Sequence, residues 1–213
     1  MKLTTALILP TLALANPLAV RQEDRAKFIG QFRTEGNGCP AGSVSVALSR
    51  EGQFVNEFAT VTLRSYRVQV GPTIPPTEQN KQCRVFLDVR FPLGCQAVTF
   101  GNTLTGAVQL DPGATGTYQR AYVLPTAQLT GNRPADLQFT SANFPDYIQN
   151  EGVAARVTVQ NEGQRTLPYS LEGGLSLQRG PNNNANATLS NDVWSVGITQ
   201  QARCCKPPEP SFS

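Results

Sequence analysis

Apolar positions recur along most of this chain with a period of two rather than 3.6, the spacing of a strand with one face turned to a core. The clearest run is Cys83, Val85, Leu87, Val89 and Phe91, alternating with Arg84, Phe86, Asp88 and Arg90. It predicts a strand whose apolar face carries the Cys83 sulfur. Val44, Val46 and Leu48 alternate in the same way with Ser43, Ser45, Ala47 and Ser49, and predict the first core strand. In Phe58 to Val70 the apolar phase switches from Ala59, Val61 and Leu63 to Tyr66, Val68 and Val70, which predicts a bulge near Arg64-Ser65. Cys95 to Phe100 follows the turn Pro92-Leu93-Gly94 and reads as the returning strand of a hairpin. Further strands are expected at Leu104–Leu110, Tyr118–Leu124, Leu137–Thr140, Ala155–Gln160, Tyr169–Gln178 and Val193–Thr199. No segment has a helical period of ordinary helix length.

The punctuation between these runs is glycine and proline. Gly36, Gly38 and Gly42 surround Cys39-Pro40 and predict a tight, irregular loop that pins a cysteine to the start of a strand. Gly71-Pro72-Thr73-Ile74-Pro75-Pro76 predicts a stiff loop, and Asp111-Pro112-Gly113 and Glu172-Gly173-Gly174 mark turns. This spacing of strands and turns points to an all-β fold with little helix, a single antiparallel β-sandwich or flattened barrel.

Both ends depart from that pattern. Met1-Lys2 precedes an apolar run that ends in Ala13-Leu14-Ala15, the form of a secretory signal peptide over residues 1–15, with cleavage after Ala15 or, second, after Ala19. The run is shorter than the ~20 residues that cross a bilayer, so no membrane anchor is expected. Residues 16–35 mix Arg21, Glu23, Asp24, Arg25 and Lys27 with few apolar positions and predict an N-terminal leader or flexible arm. The sandwich is expected over 36–203, and 204–213 form a proline-rich tail. The chain should be secreted and extracellular.

Composition changes the picture in three places. At 213 residues with 39% hydrophobic side chains the chain can bury one sizeable core. The formal net charge is only +3, and Arg50, Arg64, Arg67, Arg84, Arg90 and Arg120 are scattered singly, which suits solvated strand faces and not a nucleic-acid surface. Five cysteines, Cys39, Cys83, Cys95, Cys204 and Cys205, enter an oxidising compartment, so two disulfides and one leftover thiol are the simplest count. Cys39 needs a sulfur partner and Cys83 faces the core, where it could supply one. With no histidine and no CxxC pair, the commonest zinc sites are missing and no metal or cofactor is expected.

The same lack of histidine removes the usual proton shuttle and the usual triads. What chemistry remains is a carboxylate pair among Asp88, Asp111, Asp136, Asp146 and Glu151, each more simply a turn or surface group, so no catalytic residue is assigned. A binding role needs less. Phe86, Tyr118, Tyr122 and Tyr147, with Phe144 and Trp194, are candidate ligand-contact aromatics, since rings stack on the apolar faces of sugars. The simpler reading of each is core or sheet-edge cover, and Trp194, between Val193 and Ser195-Val196, reads as core. Asn186-Ala187-Thr188 is the chain's glycosylation sequon, in a polar loop that begins at Gly180-Pro181.

Gly36-Asn37-Gly38-Cys39-Pro40-Ala41-Gly42-Ser43-Val44, Gly71-Pro72, Asn80-Lys81-Gln82-Cys83-Arg84-Val85 and Phe91-Pro92-Leu93-Gly94 closely resemble the fungal secreted proteins grouped as domain of unknown function 4360. The likeness continues through Gly106 to Asp111 with Gly113-Ala114-Thr115, and at Val193-Trp194-Ser195. It implies an extracellular, cysteine-containing β protein with no established catalytic residues to carry over. Where the family has Trp-Ser-Pro-Cys-Gly, this chain has Trp194-Ser195-Val196-Gly197, and Cys95 stands where the family has an aromatic. One cysteine lost and one gained imply rewired bridges, with Cys204 or Cys205 in place of the missing partner.

The function expected from all this is a non-catalytic secreted protein that binds polysaccharide or protein at a fungal cell wall or host interface. The alternatives are a divergent hydrolase using two carboxylates, and a disulfide-stapled protease inhibitor or effector presenting Gly71–Pro76.

Overall fold

A computed structural model describes residues 25–51, 56–140, 143–159, 165–180 and 184–203. The elements in chain order are β1 (Lys27–Glu35), β2 (Val44–Glu51), β3 (Asn56–Leu63), β4 (Arg67–Val70), β5 (Asn80–Phe91), β6 (Gly94–Leu110) and β7 (Thr115–Val123). They continue with β8 (Gln128–Thr130), β9 (Leu137–Thr140), β10 (Asn143–Val159), β11 (Arg165–Gln178), β12 (Ala187–Ser190) and β13 (Val193–Arg203). A single 3-10 turn, Pro76–Glu78, is the only helical piece among the described residues. The expected signal segment 1–15, the first part of the expected leader and the expected tail 204–213 lie outside them.

Two antiparallel sheets face each other without closing into a barrel. One has five strands in the order β1-β5-β11-β7-β9; the other runs β2-β3-β13-β6-β10-β8, with β12 and β4 continuing from β6. The apolar faces meet in one core. Trp194, Phe91, Phe100, Tyr169, Tyr118 and Tyr122 are among its largest buried side chains. Trp194 does lie in the core: its indole N–H donates to Asn102 Oδ1 at 3.0 Å, and the Asn102 amide donates to the Tyr169 hydroxyl at 3.0 Å, so the polar atoms buried there satisfy one another. Phe100 and Tyr169 stack with ring centroids 3.9 Å apart across the two sheets.

The odd positions of β5, from Cys83 to Phe91, all face the core as the alternation requires. Cys39 and Cys83 form a disulfide with Cα atoms 5.3 Å apart, closing a sequence separation of 44. The chain-entropy model assigns such a closure about 4 kcal/mol. Gly36 shows why the preceding loop is glycine-rich: at φ +109° an added Cβ would collide with the Gln82 carbonyl oxygen. Asn37 completes the join, its Oδ1 accepting from the Gln82 backbone N–H at 2.8 Å.

Several expectations need correction. Lys27–Glu35 is not part of a loose arm; it pairs with β5 from Lys27↔Arg90 to Glu35↔Arg84 as the edge strand of the five-stranded sheet. Its polar composition is that of an edge, with a register shift between Phe28 and Phe32. The strand at Val44 is likewise an edge, not the first core strand: Val44 and Val46 are half-buried and Leu48 is exposed. The phase switch at Arg64-Ser65 is a turn between β3 and β4, which have different partners, rather than a bulge within one strand. Pro92-Leu93 carries the chain from one sheet to the other, so β5 and β6 are not a hairpin.

Candidate functional site

The residues of β5, β11 and β7 that point away from the core are the even positions of β5 and β11 and the odd positions of β7. Register aligns them in rows. Glu35, Arg84, Glu172 and Ala121 form one row across four strands, and Gln82, Gly174 and Gln119 form the next. Gly174 and Ala121 have little or no side chain, so the longer neighbours rise around a low floor. The result is an open trough of about 600 Å³ on the outer face of the sheet, closed at one end by the segment Arg133, Pro134 and Asp136. With strands ~4.8 Å apart, four of them make it about 14 Å long.

Its central cation is paired with two carboxylates. Arg84 Nε lies 2.9 Å from Glu172 Oε1, and Arg84 Nη1 lies 3.6 Å from Glu35 Oε2. Gln119 Nε2 donates to Asp136 Oδ2 at 3.1 Å. These groups are partly exposed, so the ion pairs add little stability, but they hold donors and acceptors at fixed positions facing solvent. Arg33 stacks on Phe86, 3.9 Å from the ring centroid, at the side of the trough.

The wall at 132–136 is anchored from inside. Arg120 points into the sandwich, where its Nη2 lies 2.7 Å from Glu151 Oε1 of β10 in the opposite sheet. Its Nε also donates to Glu151, its Nη1 donates to the Tyr118 carbonyl at 2.7 Å, and its Nη2 to the Ala135 carbonyl at 2.8 Å. The Tyr122 hydroxyl donates to Glu151 Oε2 at 2.7 Å, and the Tyr122 backbone N–H donates to the Asn132 carbonyl at 2.8 Å. Burial raises the pKa of Tyr122 well above its ordinary value, and the neighbouring carboxylate adds to the shift.

The candidate aromatics do not form a platform. Tyr118 and Tyr122 are fully buried, on the same inward phase of β7 as Arg120. Phe86 does face outward, yet it is only 9% exposed, covered by Arg33 with Arg84 farther off. Tyr147 is half-buried, and its hydroxyl donates to the Ser190 carbonyl at 3.0 Å. The side chain of Phe144 lies outside the described residues, as do those of Cys95, Cys204 and Cys205. Of the carboxylates, Glu151 is sequestered by Arg120 and Tyr122, Asp111 accepts from the Asn186 backbone, and Asp136 accepts from Gln119. Arg120 corrects the expectation of solvated arginines: its side chain is 1% exposed. No group of three or more metal-ligating side chains occurs among the described residues. The trough residues Glu35, Gln82 and Gln119 were not singled out by sequence, because pairing across four strands leaves no local spacing, and Glu172-Gly173-Gly174, expected as a turn, instead lies inside β11; the outward phase of Arg84 was the one signal.

Residues 27–204 match the profile of the family described as Domain of unknown function (DUF4360). The chain belongs to this family. An uncharacterized secreted protein of Arthroderma benhamiae is 27% identical over 173 residues, an alignment covering 78% of this chain and 64% of that relative, so the chain spans just under two thirds of the relative's length. Among solved structures, TmCBM61 in complex with beta-1,4-galactotriose is similar at 10% identity with a TM-score of 0.26, covering 82% of this chain and 91% of that one. A structure of infectious bursal disease virus Gx strain follows at 9% identity and a TM-score of 0.16, covering 83% of this chain and 40% of that one. At such TM-scores neither carries an argument about fold or ligand. Within the DUF4360 chain, the block from Gly36 to Val44 has a definite place: Gly36 forms the rim of the trough beside Glu35, and the Cys39–Cys83 bridge fastens that rim to the floor strand.

Proposed function

We propose that this protein is an exported, non-catalytic binding module that lays a hydroxyl-rich polymer, a polysaccharide of an extracellular wall or matrix, across the trough of the five-stranded sheet. Residues 1–15 serve as the export signal. The observation that carries the reading is Arg84, held between Glu35 and Glu172 beside the bare floor of Gly174 and Ala121. Fixed carboxylates and amides with a guanidinium between them present alternating acceptors and donors, which suits hydroxyl groups. A strongly charged ligand engaging Arg84 would have to break its existing pairs. Recognition here rests on hydrogen bonds rather than ring stacking, since no aromatic side chain lines the trough.

Gly174→Leu provides the test. An added Cβ at 174 meets nothing closer than Gln119 Oε1 at 3.7 Å, so the fold accommodates it while the side chain fills the trough. Mature protein is expected to be retained on a polysaccharide of a fungal-wall panel, with retention falling at least about tenfold in Gly174→Leu and in Arg84→Ala at unchanged melting temperature. No retention of the wild type on any polysaccharide, or equal retention by both variants, would sink the reading.

A further inference from the structure

The sequon lies on the other sheet. Thr188 of β12 is paired in register with Gln69 of β4 on one side and Gln109 of β6 on the other. Asn186, two residues earlier, precedes the strand, is exposed, and shares the outward face with Thr188. Its backbone is fixed at both ends by one residue: the Asn186 N–H donates to Asp111 Oδ2 at 2.8 Å, and its carbonyl accepts from the Asp111 N–H at 3.0 Å. Its side chain lies over Gly71, where an added Cβ would stand 2.7 Å from Asn186 Oδ1. Around it is a groove of about 200 Å³ lined by Gln69, Val70, Ile74, Gln109, Asp111 and Thr188. Ile74 supplies an apolar wall from the Gly71–Pro76 loop, and the two glutamines supply amides.

We propose that Asn186 carries an N-linked glycan whose first N-acetylglucosamine occupies this groove, its apolar ring face against Ile74 and its polar groups toward Gln69 and Gln109. Transfer occurs in the secretory lumen from a lipid-diphosphate-linked oligosaccharide. The Asn186 amide nitrogen forms a bond to the anomeric carbon of the first sugar and loses a proton, while the bond from that carbon to the diphosphate oxygen breaks and the lipid diphosphate leaves with the electron pair. The groove then gives the first sugar a seat that a solvated loop would not provide, and ties the 71–76 loop to β12. The site is separate from the trough and stands whether or not the trough binds a polysaccharide.

The full chain secreted from a eukaryotic host decides the matter. Peptide mapping is expected to find the Asn186 peptide glycosylated in the wild type, and unmodified in Thr188→Ala, which keeps the acceptor but loses the sequon hydroxyl. Recovery of the wild-type Asn186 peptide without sugar would overturn the proposal. The seat is read by hydrogen exchange at the Ile74 amide, which donates to the Gly71 carbonyl at 3.2 Å. Trimming the glycan to its first sugar should leave that exchange as slow as in the intact glycoprotein, whereas the unglycosylated Thr188→Ala and Asn186→Gln proteins should exchange severalfold faster. Equal rates in all forms would mean that the sugar stands free in solvent, and the seat would be wrong.

Discussion

Arg120 is the residue where local pattern and tertiary structure disagree most. On β7 it sits among threonine, glutamine and tyrosine, and its charge suggests a solvated position. Yet its side chain is 1% exposed and that of its partner Glu151 6%, with the pair spanning the two sheets. Such a pair contributes little net stability against an apolar replacement, because both ions must be desolvated, but removing one partner leaves the other charged and buried. Glu151→Ala is therefore expected to cost about 3–5 kcal/mol in denaturant unfolding, and Arg120→Met with Glu151→Leu together much less than the sum of the single changes. Additive costs in that double-mutant cycle would show that the two side chains do not act as one unit. The consequence reaches the trough, because Arg120 also holds the Ala135 carbonyl of its wall.

At the scale of the strand, alternation was legible wherever one face is buried and the other wet. The Cys83 to Phe91 phase could be read from spacing and the burial of Trp194 from its valine neighbours, whereas the inward phase of Cys83 allowed a bridge to Cys39 without selecting it among the possible pairings. Partner choice was not, since a strand's pattern does not say which sheet it joins: β5 and β6, three residues apart in the chain at Phe91 and Gly94, belong to different sheets. Short strands such as β8 and β12 carry too few residues for a period, and the trough is assembled by register between strands far apart in sequence. Register also bears on the remaining cysteines. β13 pairs with β6 as far as Arg203↔Gln96, Cys204 follows Arg203 in the sequence, and Cys95 precedes Gln96. Mapping of non-reduced peptides is expected to recover Cys95 bridged to Cys204, with Cys205 as the odd thiol; a Cys95–Cys205 link or an alkylatable Cys95 would contradict it.

The whole molecule has an unusual distribution of titratable groups. It contains no histidine, so no imidazole titrates near neutrality. All five tyrosines, Tyr66, Tyr118, Tyr122, Tyr147 and Tyr169, have pKa values raised above the ordinary 10.0, in each case chiefly because burial disfavours the phenolate. A tyrosine whose pKa rises on folding holds its proton more tightly in the folded state. Its contribution is complete below the unfolded value near 10 and declines above it, as the unfolded chain releases protons that the folded one keeps. Each tyrosine then removes up to about 1.4 kcal/mol of stability per pH unit, and five acting together exhaust the stability of an ordinary domain within a few units. Alkaline titration is expected to show no tyrosinate absorbance while the sheets remain intact, then the release of all five phenolates in one transition coincident with loss of the β-sheet circular dichroism. A tyrosinate signal that grows in before the sheets are lost would mean that at least one ring is reached by solvent from the folded state. Of the five, Tyr147, half-buried at the sheet margin with its hydroxyl on Ser190, would be the first to examine by substitution with phenylalanine.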